Sequence, residues 1–346
     1  MTTVAPQGLH HVTAIAGNPQ RNVDFYTKVL GLRLVKQTVN FDAPDTYHLY
    51  YGDEAGRPAS LLTFFPWDGV PGGRLGTGLT TATAFSIPEE STSWWLGRLR
   101  LLGVNVQPVA QRNGSDVITL RDPDGMVLDL VTTAGDERSG WDGVASIPSD
   151  HAVRGLHAVT LTERLLDPTA EMLTSMLGMH LGDEEGNRAR FAMGGGQSGA
   201  LVDVTGEKSM DRGLQAGGTV HHVAFRAPDL PTMQRWHDEL AGAGVPVTQI
   251  LDRQYFKSIY FREPGGVLFE IATDTPGFDI DEPLLELGKS LKLPPWLEPN
   301  RDQIRAALPV LTVDDPVRRT IYPASAALQG AVPVTSRVPS DIPDVP

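Results

Sequence analysis

Two pairs of adjacent histidines and one carboxylate stand out in this sequence as candidates for chemistry. His10-His11 lies near the start of the chain, and His221-His222 opens a similar apolar run far along it. Glu270 interrupts a third apolar run, where an unpaired carboxylate would cost several kcal/mol. Imidazole and carboxylate groups together suit a divalent metal ion. We therefore expect the two ends of the chain to meet on one metal.

Strand alternation indicates which histidine of each pair faces the metal. His222 shares a strand face with Arg226, whereas His221 shares the more apolar face with Val223 and Phe225. We expect the apolar face to pack under helices, so that the second histidine of each pair points toward the metal. The predicted protein ligands are His11, His222 and Glu270.

The elements that must position these residues form a fourfold repeat. Each module has an opening strand, a helical pattern and further short strands, which reads βαβββ. The predicted modules are residues 6–66, 79–133, 153–206 and 218–274, followed by a C-terminal extension, 275–316, and a flexible tail, 317–346. Residues 121–130 in module two align one for one with residues 262–271 in module four. This internal similarity predicts a repeat architecture of the α+β class.

The distribution of histidines predicts which modules share the metal. Module two has Thr81-Ala82 where module four has its histidine pair, and module three has Ala158 where module one has His11. We therefore expect modules one and four to form a metal cup, and modules two and three a cup without metal ligands. Three residues that align with Glu270 or His10 are interpreted as structural remnants: Asp129, Asp203 and His157.

This arrangement resembles the vicinal oxygen chelate superfamily, which includes glyoxalases, bleomycin resistance proteins and extradiol dioxygenases. The run DRQYFKSIYFREPGG at residues 252–266, the first histidine pair and the segment LPPWLEP at 293–299 are similar to ring-cleaving dioxygenases that act on hydroquinones. The resemblance covers about residues 6 to 310. It implies paired βαβββ modules that curl into two cups. It also implies Arg253 and Tyr260 as catalytic residues beside the metal. His10, His221 and Thr13 are further candidates, expected to support the metal ligands.

The expected activity is Fe(II)-dependent ring cleavage, with Mn(II) as the alternative metal. Two histidines and one carboxylate leave three positions on an octahedral ion, which is typical of non-haem iron(II) enzymes that bind substrate and O2 together. The partners would be O2 and a small aromatic molecule of the hydroquinone type, and both oxygen atoms would enter the product. Arg253 would stabilise a developing anion, and Tyr260 would orient or protonate oxygen.

Other functions stay open at this point. A catechol extradiol dioxygenase would use the same chemistry on a different ring. A glyoxalase-type lyase or isomerase usually holds its metal with four protein ligands, and module one ends in LLTFF at residues 61–65, without a carboxylate. A metal-free binding protein would have no use for two histidines and a glutamate together.

Composition narrows the partners and the compartment. The 346 residues include 29 basic and 42 acidic side chains, for a net charge of −13, which argues against nucleic acid and anionic membranes. The absence of cysteine excludes disulfides and thiolate ligands. No apolar run approaches the length of a membrane span, and the first residues do not resemble a signal peptide. We expect a cytoplasmic protein, and a homo-oligomer is compatible with the sequence.

Overall fold

The computed structural model describes residues 4–313. The flexible tail predicted at residues 317–346 lies outside the described residues. Within the part that the structure describes, no helix is both long enough and apolar enough to span a membrane.

Strands and short helices alternate along the chain. The first half contains β1 (Leu9–Ala16), α1 (Pro19–Asp24), β2 (Arg33–Asn40), β3 (Ala43–Gly52), β4 (Leu61–Pro66), β5 (Leu79–Pro88), α2 (Thr92–Leu101), β6 (Ala110–Arg112), β7 (Ser115–Arg121) and β8 (Val127–Thr133). The second half contains β9 (Gly155–Glu163), α3 (Leu166–Glu171), β10 (His180–Glu185), β11 (Arg188–Ala192), β12 (Leu201–Gly206), β13 (Thr219–Ala227), α4 (Leu230–Gly242), β14 (Leu251–Asp252), β15 (Lys257–Arg262), β16 (Leu268–Thr273) and α5 (Arg301–Ala307). Single π-helical turns, Phe25–Val29 and Met172–Met176, continue α1 and α3.

Within residues 4–313, the strands form two eight-stranded sheets. The first sheet has the order β14-β15-β16-β13-β1-β4-β3-β2, and the second has the order β10-β11-β12-β9-β5-β8-β7-β6. In the first sheet, β1 and β13 lie at the centre as an antiparallel pair. On the outer side of β1 lies β4, parallel to it, and on the outer side of β13 lies β16, parallel to it. The predicted α+β class is confirmed. The first sheet contains β1 to β4 and β13 to β16, so it combines strands from the two ends of the described chain.

The helices follow from local sequence signals and cover the sheets. The side chain of Asn18 accepts a hydrogen bond from the backbone N–H of Arg21 at 3.0 Å, which caps α1. Helix α4 buries Met233, Trp236 and Leu240, whose spacing places them on one helical face. These side chains join the largest apolar core, which takes residues from both sheets.

Bulges interrupt the central strand pairs at the histidines. On β1, Leu9 pairs with Phe225 and His11 with Ala224, so His10 is an extra residue in the ladder. On β13, His221 is the extra residue by the same count. A bulge re-aims a side chain and breaks strict alternation. The prediction that His221 faces away from His222 is wrong for this reason, because both residues line the same cavity.

Candidate metal centre

Three side chains from adjacent strands converge in the first sheet. Nε2 of His11 lies 3.2 Å from Nε2 of His222, and Oε2 of Glu270 lies 3.3 Å and 2.9 Å from these two nitrogens. Ligand atoms at about 2.1 Å from one octahedral ion are about 3.0 Å apart in neighbouring positions. Within residues 4–313, this is the one group of three or more metal-ligand side chains whose ligand atoms all meet. The spacing therefore fits a single metal ion.

Burial and charge also favour a cation at this point. Glu270 is fully buried, and in the described part of the chain its carboxylate contacts no polar group besides the two imidazoles. Burial acts to raise the pKa of Glu270, but His11 and His222 hold that pKa well below its usual value. Burial also lowers the pKa of His222. A buried carboxylate beside two imidazoles is the donor set that a divalent metal requires.

In each pair, the histidine that precedes the candidate ligand contacts it; we call His10 and His221 the outer histidines, and His11 and His222 the inner ones. Nδ1 of His10 lies 2.8 Å from Nδ1 of His11, and Nδ1 of His221 lies 2.8 Å from Nδ1 of His222. Burial lowers the pKa of both His10 and His221 to about 3, so both are neutral at neutral pH. One nitrogen of each contact then donates a hydrogen bond and the other accepts it. Such contacts fix the orientation of metal-binding imidazoles.

Arg253 and Tyr260 lie together at the wall of the same cavity. Nε of Arg253 donates to the hydroxyl of Tyr260 at 3.2 Å, and Nη1 donates to Asp42 at 3.0 Å. Burial raises the pKa of Tyr260 above its ordinary value, so the hydroxyl keeps its proton. Burial works against the charge of Arg253, but Tyr260 and Asp42 raise its pKa. The cavity wall thus places a guanidinium cation beside the phenolic proton of Tyr260.

Thr13 reaches the cavity only through other residues. It is fully buried and does not line the cavity, and its hydroxyl lies 2.7 Å from the hydroxyl of Thr63. The Thr63 hydroxyl lies 2.8 Å from Nε2 of His48, whose Nδ1 lies 2.8 Å from the hydroxyl of Tyr50. Thr63 is paired with Thr13 on the neighbouring parallel strand. Glu270 is paired in the same way with Ala224, so Thr63 in module one corresponds to Glu270 in module four. Module one therefore has the hydroxyl of Thr63 at the position where module four has the carboxylate of Glu270. We call the Thr63 position the fourth corner of the cup.

Sequence reasoning missed most of the aromatic wall of this cavity. His48 and Tyr50 are alternate residues of β3 and share a face, a pattern that could have identified them. The remaining aromatic side chains come from loops and strand ends that carry no comparable signal: Phe41, Phe65, Trp67 and Phe256.

The three residues interpreted as structural remnants lie in the second sheet. Asp129 accepts from Nη1 of Arg112 at 2.9 Å, and Asp203 accepts from Nε of Arg190 at 2.7 Å. Nδ1 of His157 lies 3.0 Å from the hydroxyl of Ser198. Both carboxylates are thus held by guanidinium groups.

Comparisons with known proteins find relatives over most of the chain. The family model of the Glyoxalase/Bleomycin resistance protein/Dioxygenase superfamily matches residues 8–130 and 155–271. A Bacillus subtilis protein named "Putative ring-cleaving dioxygenase MhqO" is 42% identical over 301 residues, which cover 87% of this chain and 95% of that protein. The chlorohydroquinone/hydroquinone 1,2-dioxygenase of Sphingobium indicum is 35% identical over 321 residues, which cover 90% of this chain and 97% of that protein.

Solved structures show the same fold. A crystal structure titled as a "putative dioxygenase" from Bacillus subtilis has a TM-score of 0.86 at 40% identity and covers 92% of this chain and 100% of that one. Glyoxalase I from Zea mays has a TM-score of 0.59 at 16% identity and covers 78% of this chain and 92% of that one. The second likeness concerns the fold alone.

Proposed function

Because this chain belongs to the Glyoxalase/Bleomycin resistance protein/Dioxygenase superfamily, we propose that it is an Fe(II)-dependent ring-cleaving dioxygenase that acts on hydroquinones. The names of the relatives from Bacillus subtilis and Sphingobium indicum support the reaction and the substrate class. The ligand set supports the metal, since imidazole and carboxylate are typical of non-haem iron. Mn(II) would fit the same three side chains.

The observation that carries this proposal is the group of three convergent ligands without a fourth carboxylate. His11, His222 and Glu270 meet at 2.9–3.3 Å, while the corresponding fourth corner is occupied by Thr63. His11, His222 and Glu270 would hold an Fe(II) ion, which would supply a redox-active centre for O2 chemistry beside the substrate. A glyoxalase-type site would need the fourth protein ligand that Thr63 does not provide.

The cavity walls suit a flat aromatic ring. Phe256 packs against the ring of His11 at 5.3 Å between centroids, and His48 packs against Tyr50 at 4.0 Å. Aromatic faces and edges at such distances favour a further ring over an aliphatic chain. These side chains would hold a hydroquinone beside the metal ligands and exclude bulk water from the reacting carbon atoms.

Arg253 and Tyr260 would serve the proton and charge requirements of the reaction. The Arg253 guanidinium would stabilise the substrate oxygen once its proton has left, because a fixed cation favours the phenolate. Its bond to the Tyr260 hydroxyl fixes the phenolic proton at Oη, from which it can be donated to oxygen. Overall, a ring C–C bond beside a hydroxyl-bearing carbon breaks, and the two atoms of O2 end in a carboxyl and a carbonyl group.

Reconstitution tests the proposal. The purified chain is loaded with Fe(II) without air and mixed with hydroquinones, catechols and the methylglyoxal adduct of a thiol. We expect no turnover until air is admitted, followed by O2 uptake with hydroquinones. Isomerisation of the thiol adduct without O2, with hydroquinones untouched, would overturn the proposal.

A further inference from the structure

The second sheet encloses a cavity that the proposed reaction does not use. Its volume is about 660 Å³, within the range of roughly 300–1,000 Å³ that small-molecule sites occupy. Its lining comes from strands of modules two and three and from the loops that follow β8 and precede β12. We call it the second cavity.

The floor of the second cavity is aliphatic. It consists of small side chains that form one buried cluster: Ala84, Val117, Val131, Ala158 and Leu201. Ala158 stands where module one has the metal ligand His11, so the loss of an imidazole leaves space over this floor. A ligand that fits there needs an apolar body.

The wall carries guanidinium groups with unused hydrogen-bond donors. Arg112 is held by Asp129, while Arg188 and Arg190 are both held by Asp203. Three guanidinium groups therefore share two carboxylates directly, while Asp183 lies near Arg190 and the exposed Glu137 also lines the cavity. Among the described residues, nothing accepts from Nη1 of Arg190 or from Nε and Nη2 of Arg112, and both side chains line the cavity. The adjacent pair of Arg138 and Asp136 neutralises itself.

His157 adds a buried polar group to the same wall. A bulge at this position repeats the one at His10, and the residue lines the second cavity with only 8% of its surface exposed. Its Nδ1 contacts Ser198, whereas Nε2 has no partner among residues 4–313. Burial lowers the pKa of His157 to about 4, so the ring is neutral at neutral pH. A neutral imidazole can donate to an oxygen or accept from a hydroxyl.

We propose that the second cavity is a metal-independent binding site for a small organic carboxylate with a flat apolar body, such as a benzoate. The carboxylate accepts from the unused N–H groups of Arg112 and Arg190, and the ring lies on the aliphatic floor. Charge-assisted hydrogen bonds to guanidinium select a carboxylate over a neutral amide of the same shape. A metal ion is not part of this site, because Asp129 and Asp203 are already paired.

The location of binding can be read from alanine methyl groups. The full-length chain, labelled at alanine methyls, is titrated with benzoate and, separately, with benzamide. Benzoate should shift the signals of Ala84 and Ala158 but not that of Ala224, which pairs with Glu270 in the first sheet. Benzamide should bind at least tenfold more weakly. Shifts at Ala224 alone, no shifts at all, or equal affinity for the two probes would overturn the proposal.

Substitutions test the guanidinium directly. Arg112→Gln removes a side chain that is 26% exposed on the edge strand β6, and it should weaken benzoate binding at least tenfold. Arg121→Gln is the matched control, since this exposed arginine of the same module does not line the cavity, and affinity should stay within twofold. Ala158→Phe should abolish binding by filling the floor. If Ala158→Phe unfolds, the Arg112→Gln result decides, and unchanged affinity there contradicts the proposal.

Discussion

Nε2 of His11 lies 3.2 Å from Nε2 of His222, although 211 positions separate the two residues in the sequence. The contact exists because β1 and β13 are antiparallel neighbours at the centre of one sheet. A metal bound there would join the first and last modules. The proposed ligand set, the stability of the fold with metal and the reaction all depend on this contact.

Removing a proposed ligand should remove the iron. His11→Ala, His222→Ala and Glu270→Ala should each abolish stoichiometric iron, measured by elemental analysis of the reconstituted protein, because two ligands cannot retain the ion. His10→Ala and His221→Ala are the controls and should keep iron, since their nitrogens contact the inner histidines instead of the metal position. Full iron in any of the first three variants would exclude that residue from the ligand set.

Metal should stabilise the fold across the two ends of the chain. A ligand at one hundred times its Kd adds about 2.7 kcal/mol to the free energy of unfolding. Mn(II), which does not require exclusion of air, should therefore raise the Tm of the chain by several degrees in calorimetry. His222→Ala should show no such rise. An equal rise in that variant would place the bound metal elsewhere.

Tyr260 should matter for turnover and not for metal binding. Tyr260→Phe removes the hydroxyl that Arg253 holds, and loss of a proton donor typically costs about 10²–10⁴-fold in rate. Iron content should remain that of the unaltered chain. Tyr255→Phe is the matched control, because its hydroxyl donates to Asp281 and does not line the metal cavity. Unchanged kcat in Tyr260→Phe, measured by O2 uptake, would contradict the assigned role.

A buried pair of carboxyl groups should make stability depend on pH. Burial and the neighbouring carboxyl of Glu263 raise the pKa of Glu163 to about 8, well above its value in an unfolded chain. The folded state therefore holds this proton more tightly, so stability falls as pH rises from about 4.5 through 8. Glu163→Gln mimics the protonated form and should gain stability over the unaltered chain as pH rises.

Urea unfolding at pH 5 and pH 8 measures this difference. The midpoint of Glu163→Gln relative to the unaltered chain should be higher at pH 8 than at pH 5. The exposed Glu171 offers a control. The urea midpoint of Glu171→Gln relative to that of the unaltered chain should be the same at pH 5 and at pH 8. A pH-independent effect of Glu163→Gln would show that the carboxyl pair does not share a proton in the folded state.

The fold class and the family were accessible from the sequence for specific reasons. The match between residues 121–130 and 262–271 identifies two closing strands of a repeat, and the helical patterns between them have clear start and stop signals. The βαβββ repeat implied strands here but did not place β10 and β11 individually, because His180–Glu185 is exposed throughout and the five residues of β11 give only a short alternating pattern. Strand β11 pairs with β12, and β10 is held in the sheet by its pairing with β11.

Within the candidate site, the sequence indicated the histidines and Glu270, and the family resemblance indicated Arg253 and Tyr260, but neither indicated most of the aromatic wall. Alternation misplaced His221, because a bulge depends on how two distant strands pair and leaves no local signal. The series of side-chain hydrogen bonds from Thr13 through Thr63 to His48 was also not predicted, since it links three strands. Contacts of this kind are defined by the sheet order and not by spacing along the sequence.

The most direct test of the central claim is the fate of labelled O2. The Fe(II)-loaded chain is mixed with hydroquinone under ¹⁸O2, the product is reduced at once so that its carbonyl oxygen cannot exchange with water, and the mass is measured. We expect one O2 consumed per ring opened and two ¹⁸O atoms in the acyclic product, with neither outcome in Glu270→Ala. Ring opening with one labelled atom or none, or no O2-dependent ring opening by the iron-loaded chain, would contradict the account.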